Sequence, residues 1–453
     1  MSTSVTPAQI LASLSPSPDP KGGAALPAWY GMVILGLASQ AYTAQGGSDW
    51  PTMQSALFRA ITTPKYTPAL PLPKGAEVAA GGADALPGAW SLDWGPANGQ
   101  DGDGDNSNLI YIASYRAQGN PNYADGAPYF FVVSIRGTDV SVKGPPLYQQ
   151  LFQDIRDFEL HSWPKLLKDG INTLLHGHLS VPTPNTRDPA GLDGHIADGS
   201  MRGFVKIANS TAPLNDGKTP VNGGAAFAVV AALNNLTRNY RGAPIVVTGH
   251  SLGAAQAQVM ASYLAWQFQG QTVIPFLYAP PTAGDADFMA TYMRQCPSGQ
   301  FWYNDHDVVP YAYITLPAAD GSKPESGLAW AAKNLWSAYQ WPPEPPPAKP
   351  AAAPSLPLPM IALIDTLGKL IPPVYERPAG GILPLKGNIP APATIAALLA
   401  SMGGGMAKMH PDSGIAQLVW QHFPPCYAEL MTAQYGDQLA PFRFAAYKPE
   451  PLA

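Results

Sequence analysis

Cysteine is scarce in this chain: Cys296 and Cys426 are the only two in 453 residues. Two thiols cannot build a disulfide framework. They could form one bridge, and their spacing does not decide it. Charge is scarce as well. Asp, Glu, Lys and Arg make up 13% of the residues, against roughly 25% in ordinary soluble domains. With a net charge of −5 and no run of Lys or Arg, the chain lacks the electrostatic footprint of a nucleic-acid partner. Long apolar runs are missing too. The one membrane candidate, 24–42, is interrupted by Pro27, Gly31, Gly36, Ser39 and Gln40, and reads as a buried helix near 32–42. Residues 1–22 have neither the basic start nor the apolar centre of a secretory leader, so a cytoplasmic location or leaderless export is expected.

Apolar residues, proline and glycine are plentiful: 46% of the chain is hydrophobic, with 51 prolines and 44 glycines. That is enough for a large core. Residues 1–26 read as a flexible tail and 27–453 as one α/β domain. A helix running to about 44 precedes a loop-rich stretch over 45–88. Strands are expected at 89–94, 108–116 and 129–137, divided by Gly- and Asp-rich turns, which suggests an antiparallel opening to the sheet. The stretch 139–202 is irregular, with a helix near 163–175, and 204–209 reads as a helical turn. An amphipathic helix over 223–240 places Phe227, Val230, Ala231, Leu233 and Leu236 at helical spacing. Strands at 245–249, 273–278 and 300–304 then alternate with helices at 254–268 and 285–294, the pattern of a mostly parallel sheet. Residues 318–380 break it. Trp330, Trp336, Tyr339 and Trp341 lead into Pro-Pro-Glu-Pro-Pro-Pro at 342–347, a polyproline tract that serves as a connector or a cap; a short helix is expected near 361–370. A last strand at 381–387 and helices near 392–399 and 415–420 follow. The acidic run at 101–106 resembles half of a calcium loop. Ile112 stands where that loop needs its closing carboxylate, so a solvated turn is expected, and neither metal nor cofactor.

The chemistry concentrates at 244–253, Pro-Ile-Val-Val-Thr-Gly-His-Ser-Leu-Gly, followed at once by an alanine-rich helix. Strand, Gly-x-Ser-x-Gly turn and helix form the context of a nucleophile elbow, which lifts Ser251 above a sheet edge. A serine nucleophile needs a base, an orienting acid and donors for the oxyanion. Asp307 leaves a strand end and is preferred to Asp305 as the acid. Three histidines follow the serine: His306, His410 and His422. Of these His422, at the opening of the final helical segment, is preferred to His410. His250 points away from the side Ser251 faces and is expected to pack or hydrogen bond beneath the elbow. The Leu252 amide and Thr138, after the strand ending Arg136-Gly137, are the oxyanion donors expected.

Together these residues resemble the class 3 lipases, the filamentous-fungal triacylglycerol lipase type. Arg136-Gly137-Thr138 is similar to that family's oxyanion strand, 249–253 to its elbow, Asp307-Val308-Val309-Pro310 to its acid motif, and His422 with Tyr427 and Leu430 to its terminal histidine segment. Residues 38–42 resemble its opening helix, and Gly203-Phe204 its mid-chain Gly-Phe pair, with Met201 where the family often has histidine. The resemblance covers roughly 30–315 and 380–435. It implies an α/β-hydrolase fold and a serine carboxylic-ester hydrolase, a triacylglycerol lipase, acting without a cofactor on a lipid or other ester, with an oil–water interface as its expected setting. It also implies a lid just after Thr138, with Leu147, Tyr148, Leu151 and Phe152 as its apolar underside; the insertion at 318–380 is foreign to the short members. A phospholipase, an acyltransferase and a non-catalytic binding protein remain the alternatives.

Overall fold

The computed structural model describes residues 4–17, 26–43, 50–74, 76, 84–99, 108–137, 160–169, 191–215, 225–316, 325–327, 330–331, 375–378, 380–402, 411 and 414–442. Seven strands make the principal sheet: β1 (Gly88–Gly99), β2 (Asn108–Ala117), β3 (Pro128–Ile135), β4 (Ile245–His250), β5 (Val273–Tyr278), β6 (Gln300–Asn304) and β7 (Ile382–Leu385), hydrogen-bonded in that order. The first three run antiparallel and β3 through β7 run parallel. Buried β-branched and aromatic runs such as Phe-Phe-Val-Val and Ile-Val-Val form the centre because both faces of a parallel sheet are covered.

Alternation sorts the core into two halves. Phe130, Val132, Val246, Ile274 and Phe276 face one apolar cluster. Phe131, Val133, Ile135, Ile245, Val247 and Leu277 face the other. Eleven described helices cover the sheet: α1 (Pro7–Ser13), α2 (Gly31–Gln40), α3 (Trp50–Thr62), α4 (Trp163–Asp169), α5 (Asp198–Asn209), α6 (Val229–Thr237), α7 (Leu252–Gln267), α8 (Ala286–Gln295), α9 (Pro392–Met402), α10 (Gly414–His422) and α11 (Pro424–Tyr435). Residues of α1–α3 and α9–α11 fill the first half of the core, and residues of α4–α8 the second. The apolar stretch at 31–40 is thus a core helix: Met32 to Ala38 are all buried, and the Tyr111 hydroxyl donates to the Leu37 carbonyl. Among the described residues no helix is long and apolar enough to cross a membrane.

The structure departs from the sequence reading in several places. Residues 4–17 are not loose. Thr6 and Gln9 form a capping box at the start of α1, and Val5, Ile10 and Leu14 are fully buried. Asn120 secures the segment by donating to the Val5 carbonyl at 3.1 Å. The stretch 45–88 holds helix α3, whose Met53, Leu57, Ala60 and Ile61 face inward; Pro51 lies in its first turn, where the missing amide costs nothing. Helix α5 is a full twelve residues rather than a turn. The helix expected over 223–240 shrinks to α6, because residues 226–228 pair as a strand with 211–213. The Trp94 indole donates to carbonyls on both of these strands. Both cysteines are free and buried; burial raises the Cys296 thiol to about 12. The calcium-like run at 101–106, the lid candidates Leu147, Tyr148, Leu151 and Phe152, and most of 318–380 lie outside the described residues.

Candidate active site

The site forms at the carboxyl ends of the parallel strands, where a doubly wound sheet leaves its crevice. β4 ends in a turn that Ser251 makes with φ +61° and ψ −135°, a conformation an L-residue holds only under constraint. The constraint is close packing. A Cβ on Gly249 would lie 2.4 Å from the Gly253 carbonyl oxygen, and one on Gly253 would lie 2.5 Å from the Ile135 carbonyl oxygen of β3. Only glycine at both positions lets α7 start so near the two strands. The Ser251 amide donates to the Tyr278 carbonyl at 3.0 Å, anchoring the turn to β5.

His422 approaches the serine from the end of α10, with its Nε2 2.7 Å from the Ser251 Oγ. It closes that helix rather than opening the last one, which begins at Pro424. Its Nδ1 lies 2.8 Å from Asp307 Oδ2. A carboxylate can only accept, so Nδ1 carries the proton and Nε2 is left bare to accept the serine O–H. Asp307, fully buried in the loop after β6, is satisfied on both oxygens: Oδ1 accepts the Val309 amide at 3.0 Å, and Oδ2 also accepts the Tyr427 hydroxyl at 2.8 Å. Tyr427 in turn accepts the Asn304 amide at 3.1 Å. Burial first, and the Asp307 charge second, push the Tyr427 hydroxyl well above its ordinary value, so it stays a donor. Asn304 donates to the Gln421 carbonyl and side chain at 2.9 and 2.7 Å, tying β6 to the residue before His422.

His250 is buried beside the elbow. Its Nε2 lies 2.6 Å from the His422 carbonyl oxygen, which fixes Nε2–H as donor, and Nδ1 accepts the Tyr42 hydroxyl at 3.0 Å. Burial first, then the neighbouring His422 ring, lower its pKa well below the ordinary imidazole value, with the carbonyl bond opposing. His250 is therefore not aimed at Ser251; its hydrogen bond holds the backbone of His422, as expected of a residue packed or hydrogen-bonded beneath the elbow. Leu252 opens α7, so its amide has no acceptor within the helix. Gly137, beyond β3, sits against the elbow: a Cβ there would fall 2.5 Å from the His250 carbonyl oxygen and 3.2 Å from the Ser251 Cβ.

Ser251, His422, Asp307 and Leu252 thus meet at one rim of the sheet. Asp305 is turned elsewhere, accepting the Gly387 amide. Thr138 and His410 lie outside the described residues. Met201 is fully buried in the core, and a Cβ on Gly203 would meet the Gln256 side chain. The roles of Tyr42 and Asn304 had no local signal in the sequence. Tyr427 stood in the terminal motif, with nothing there to say that it reaches the acid. No cluster of three or more His, Cys, Asp or Glu side chains suited to a metal ion occurs among the described residues.

In sequence, residues 132–315 match the family described as Lipase (class 3). No curated protein matches the chain. Among solved structures, M37 lipase aligns with a TM-score of 0.53 at 20% identity over 88% of this chain and 92% of that one, a likeness of fold. The fold is that of the α/β-hydrolases. The Yarrowia lipolytica Lip2 lipase aligns at 14% identity over 62% of this chain and 72% of its own, with a TM-score of 0.34. The Rhizomucor miehei lipase–propeptide complex aligns at 16% identity over 51% and 53%, with a TM-score of 0.30. These last two are too distant to add to the argument.

Proposed function

We propose that the chain is a lipase-type ester hydrolase of the class 3 lipase family, whose model matches residues 132–315, that it works through Ser251, His422 and Asp307, and that its substrates are triacylglycerols. The observation that carries this reading is the unbroken relay of 2.7 Å from serine to imidazole and 2.8 Å from imidazole to a buried carboxylate. Ser251 Oγ attacks the ester carbonyl as His422 Nε2 takes its proton. Asp307 holds the tautomer and stabilises the imidazolium that forms. The tetrahedral oxyanion lies against the Leu252 amide and a second donor from Thr138. On collapse, His422 returns the proton to the departing alcohol, leaving an acyl group on Ser251. Water activated by the same imidazole releases the acid.

The preference for lipid esters is supported by the low charge of the chain, 13%, and by the family. Action at a water–oil interface belongs to the same proposal. The first test is hydrolysis of p-nitrophenyl esters from short to long chain, with and without an interface. Ser251→Ala is expected to lower kcat by ~10³-fold or more while the circular-dichroism spectrum is retained; an unchanged rate would refute the nucleophile. His422→Ala and His410→Ala compared side by side test the base, and equal activity in both would undo it. Triacylglycerol against phospholipid emulsions tests the substrate class.

A further inference from the structure

The connection between β6 and β7 is long, and of its returning part residues 375–378 and 380–381 are described. Arg377 there spans both ends of the loop that carries Asp307. Its guanidinium carbon is 4.6 Å from the ring centre of Tyr303, in β6, and 4.6 Å from that of Tyr311. Tyr311 ends the short 3-10 turn Val309–Tyr311. An Arg377 Nη2 proton is donated to the Pro310 carbonyl at 3.0 Å. The two tyrosine rings meet edge to face at 6.5 Å, and Trp330, from the same long connection, stacks on Tyr311 at 5.0 Å. Tyr375 forms a backbone bridge with Asp285, which fastens the segment to the start of α8. A cation seated on two aromatic faces resists displacement from either.

We propose that Arg377 is a positioning residue for the reaction: it clamps the ends of the 303–311 loop so that Asp307 stays in register with His422. This rests on the reading of Asp307 as the orienting acid. The bonds to Asp307 all come from inside the loop or from α10 and α11, whereas Arg377 closes the outer side. Its role is to hold a separation, since small displacements between reacting groups are costly in rate. The long connection thereby contributes to the site besides linking two strands.

The test compares Arg377→Met, Arg377→Lys and Tyr311→Leu, with kcat expressed per site titrated by a fluorophosphonate. Arg377→Met is expected to lower kcat about tenfold with KM within about twofold. The acid limb of its kcat/KM profile should move to lower pH. The His422 imidazole is faced by Asp307 on one side, with the Tyr427 hydroxyl on that carboxylate, by Ser251 on the other and by His250 at its flank, and a loosened Asp307 stabilises its charged form less. Arg377→Lys, which keeps a cation between the rings, should recover most of kcat. Tyr311→Leu should shift the same limb in the same direction by less. A lower melting temperature with wild-type kcat per titrated site and an unmoved acid limb, in Arg377→Met or in Tyr311→Leu if the first does not fold, overturns the clamp. Asp307→Asn is run alongside: unchanged activity there would remove the acid itself, and with it the premise.

Discussion

At the scale of single residues, the site depends on groups whose donor and acceptor roles are forced by their partners. Tyr427 serves the Asn304 amide and the Asp307 carboxylate with one oxygen. A hydrogen bond to a charged group contributes roughly 1.5–3 kcal/mol, so Tyr427→Phe is expected to lower kcat about tenfold with little change in KM. The same variant leaves the Asn304 amide without its acceptor, and a fall in the denaturant midpoint should accompany the loss of rate. Steady-state kinetics and urea titration of the one variant read both effects. Cys426 also lies behind Asp307, beside Asn304 and Gln421. Burial, then the charges of Asp307 and Glu429, raise its thiol well above the ordinary value, which keeps it protonated there.

At the scale of elements, the elbow works because two chain segments meet with no side chain between them. Ile135 pairs with Gly249 across β3 and β4, and α7 begins against both strands. Gly253→Ala would drive a methyl group to within 2.5 Å of the Ile135 carbonyl. Backbone on both sides cannot yield cheaply, and overpacking of this kind costs about 1–3 kcal/mol. A lowered denaturation midpoint and a slower reaction of Ser251 with a fluorophosphonate are expected together. A variant as stable and reactive as the wild type would show that the helix can shift away. The elements missed from sequence share one feature. Helices α1 and α3 lie in Pro- and Ser-rich surroundings, and local composition there outweighed their inward-facing apolar residues. Their burial comes from strands and loops far along the chain, as when Asn120 secures residue 5.

At the scale of the whole molecule, a seven-stranded sheet with a core on each face brings distant segments to one rim. His250 connects two of them through the His422 carbonyl and Tyr42, and this gives stability a pH dependence. The folded pKa of His250 lies below its ordinary value of 6.5, so on acidification the unfolded chain takes up the proton first. The contribution of this group is complete above about pH 6.5 and declines as pH falls toward the folded pKa, with a slope of up to ~1.4 kcal/mol per pH unit. Denaturation midpoints measured from pH 7.5 down to 5 should therefore fall. In His250→Gln, which has a donor but no titrating ring, they should fall less steeply. Parallel slopes in the two proteins would place the acid sensitivity elsewhere.

The amino-acid sequence alone determined what short-range physics controls. Apolar periodicity located the strands of the sheet, with β5 and β6 expected over 273–278 and 300–304. The Gly-x-Ser-x-Gly turn located the elbow, and the shortage of charge and cysteine excluded whole classes of protein. Only the tertiary structure decided which groups touch. His422 and Ser251 are 171 positions apart and His422 and Asp307 are 115 apart, and no local pattern encodes a distance across such separations. The same holds for Tyr427 on Asp307, His250 on the His422 carbonyl and Arg377 on the loop that carries Asp307. Each of these contacts is set by the packing of the sheet and its two helical layers, a property of the assembled core rather than of any segment within it.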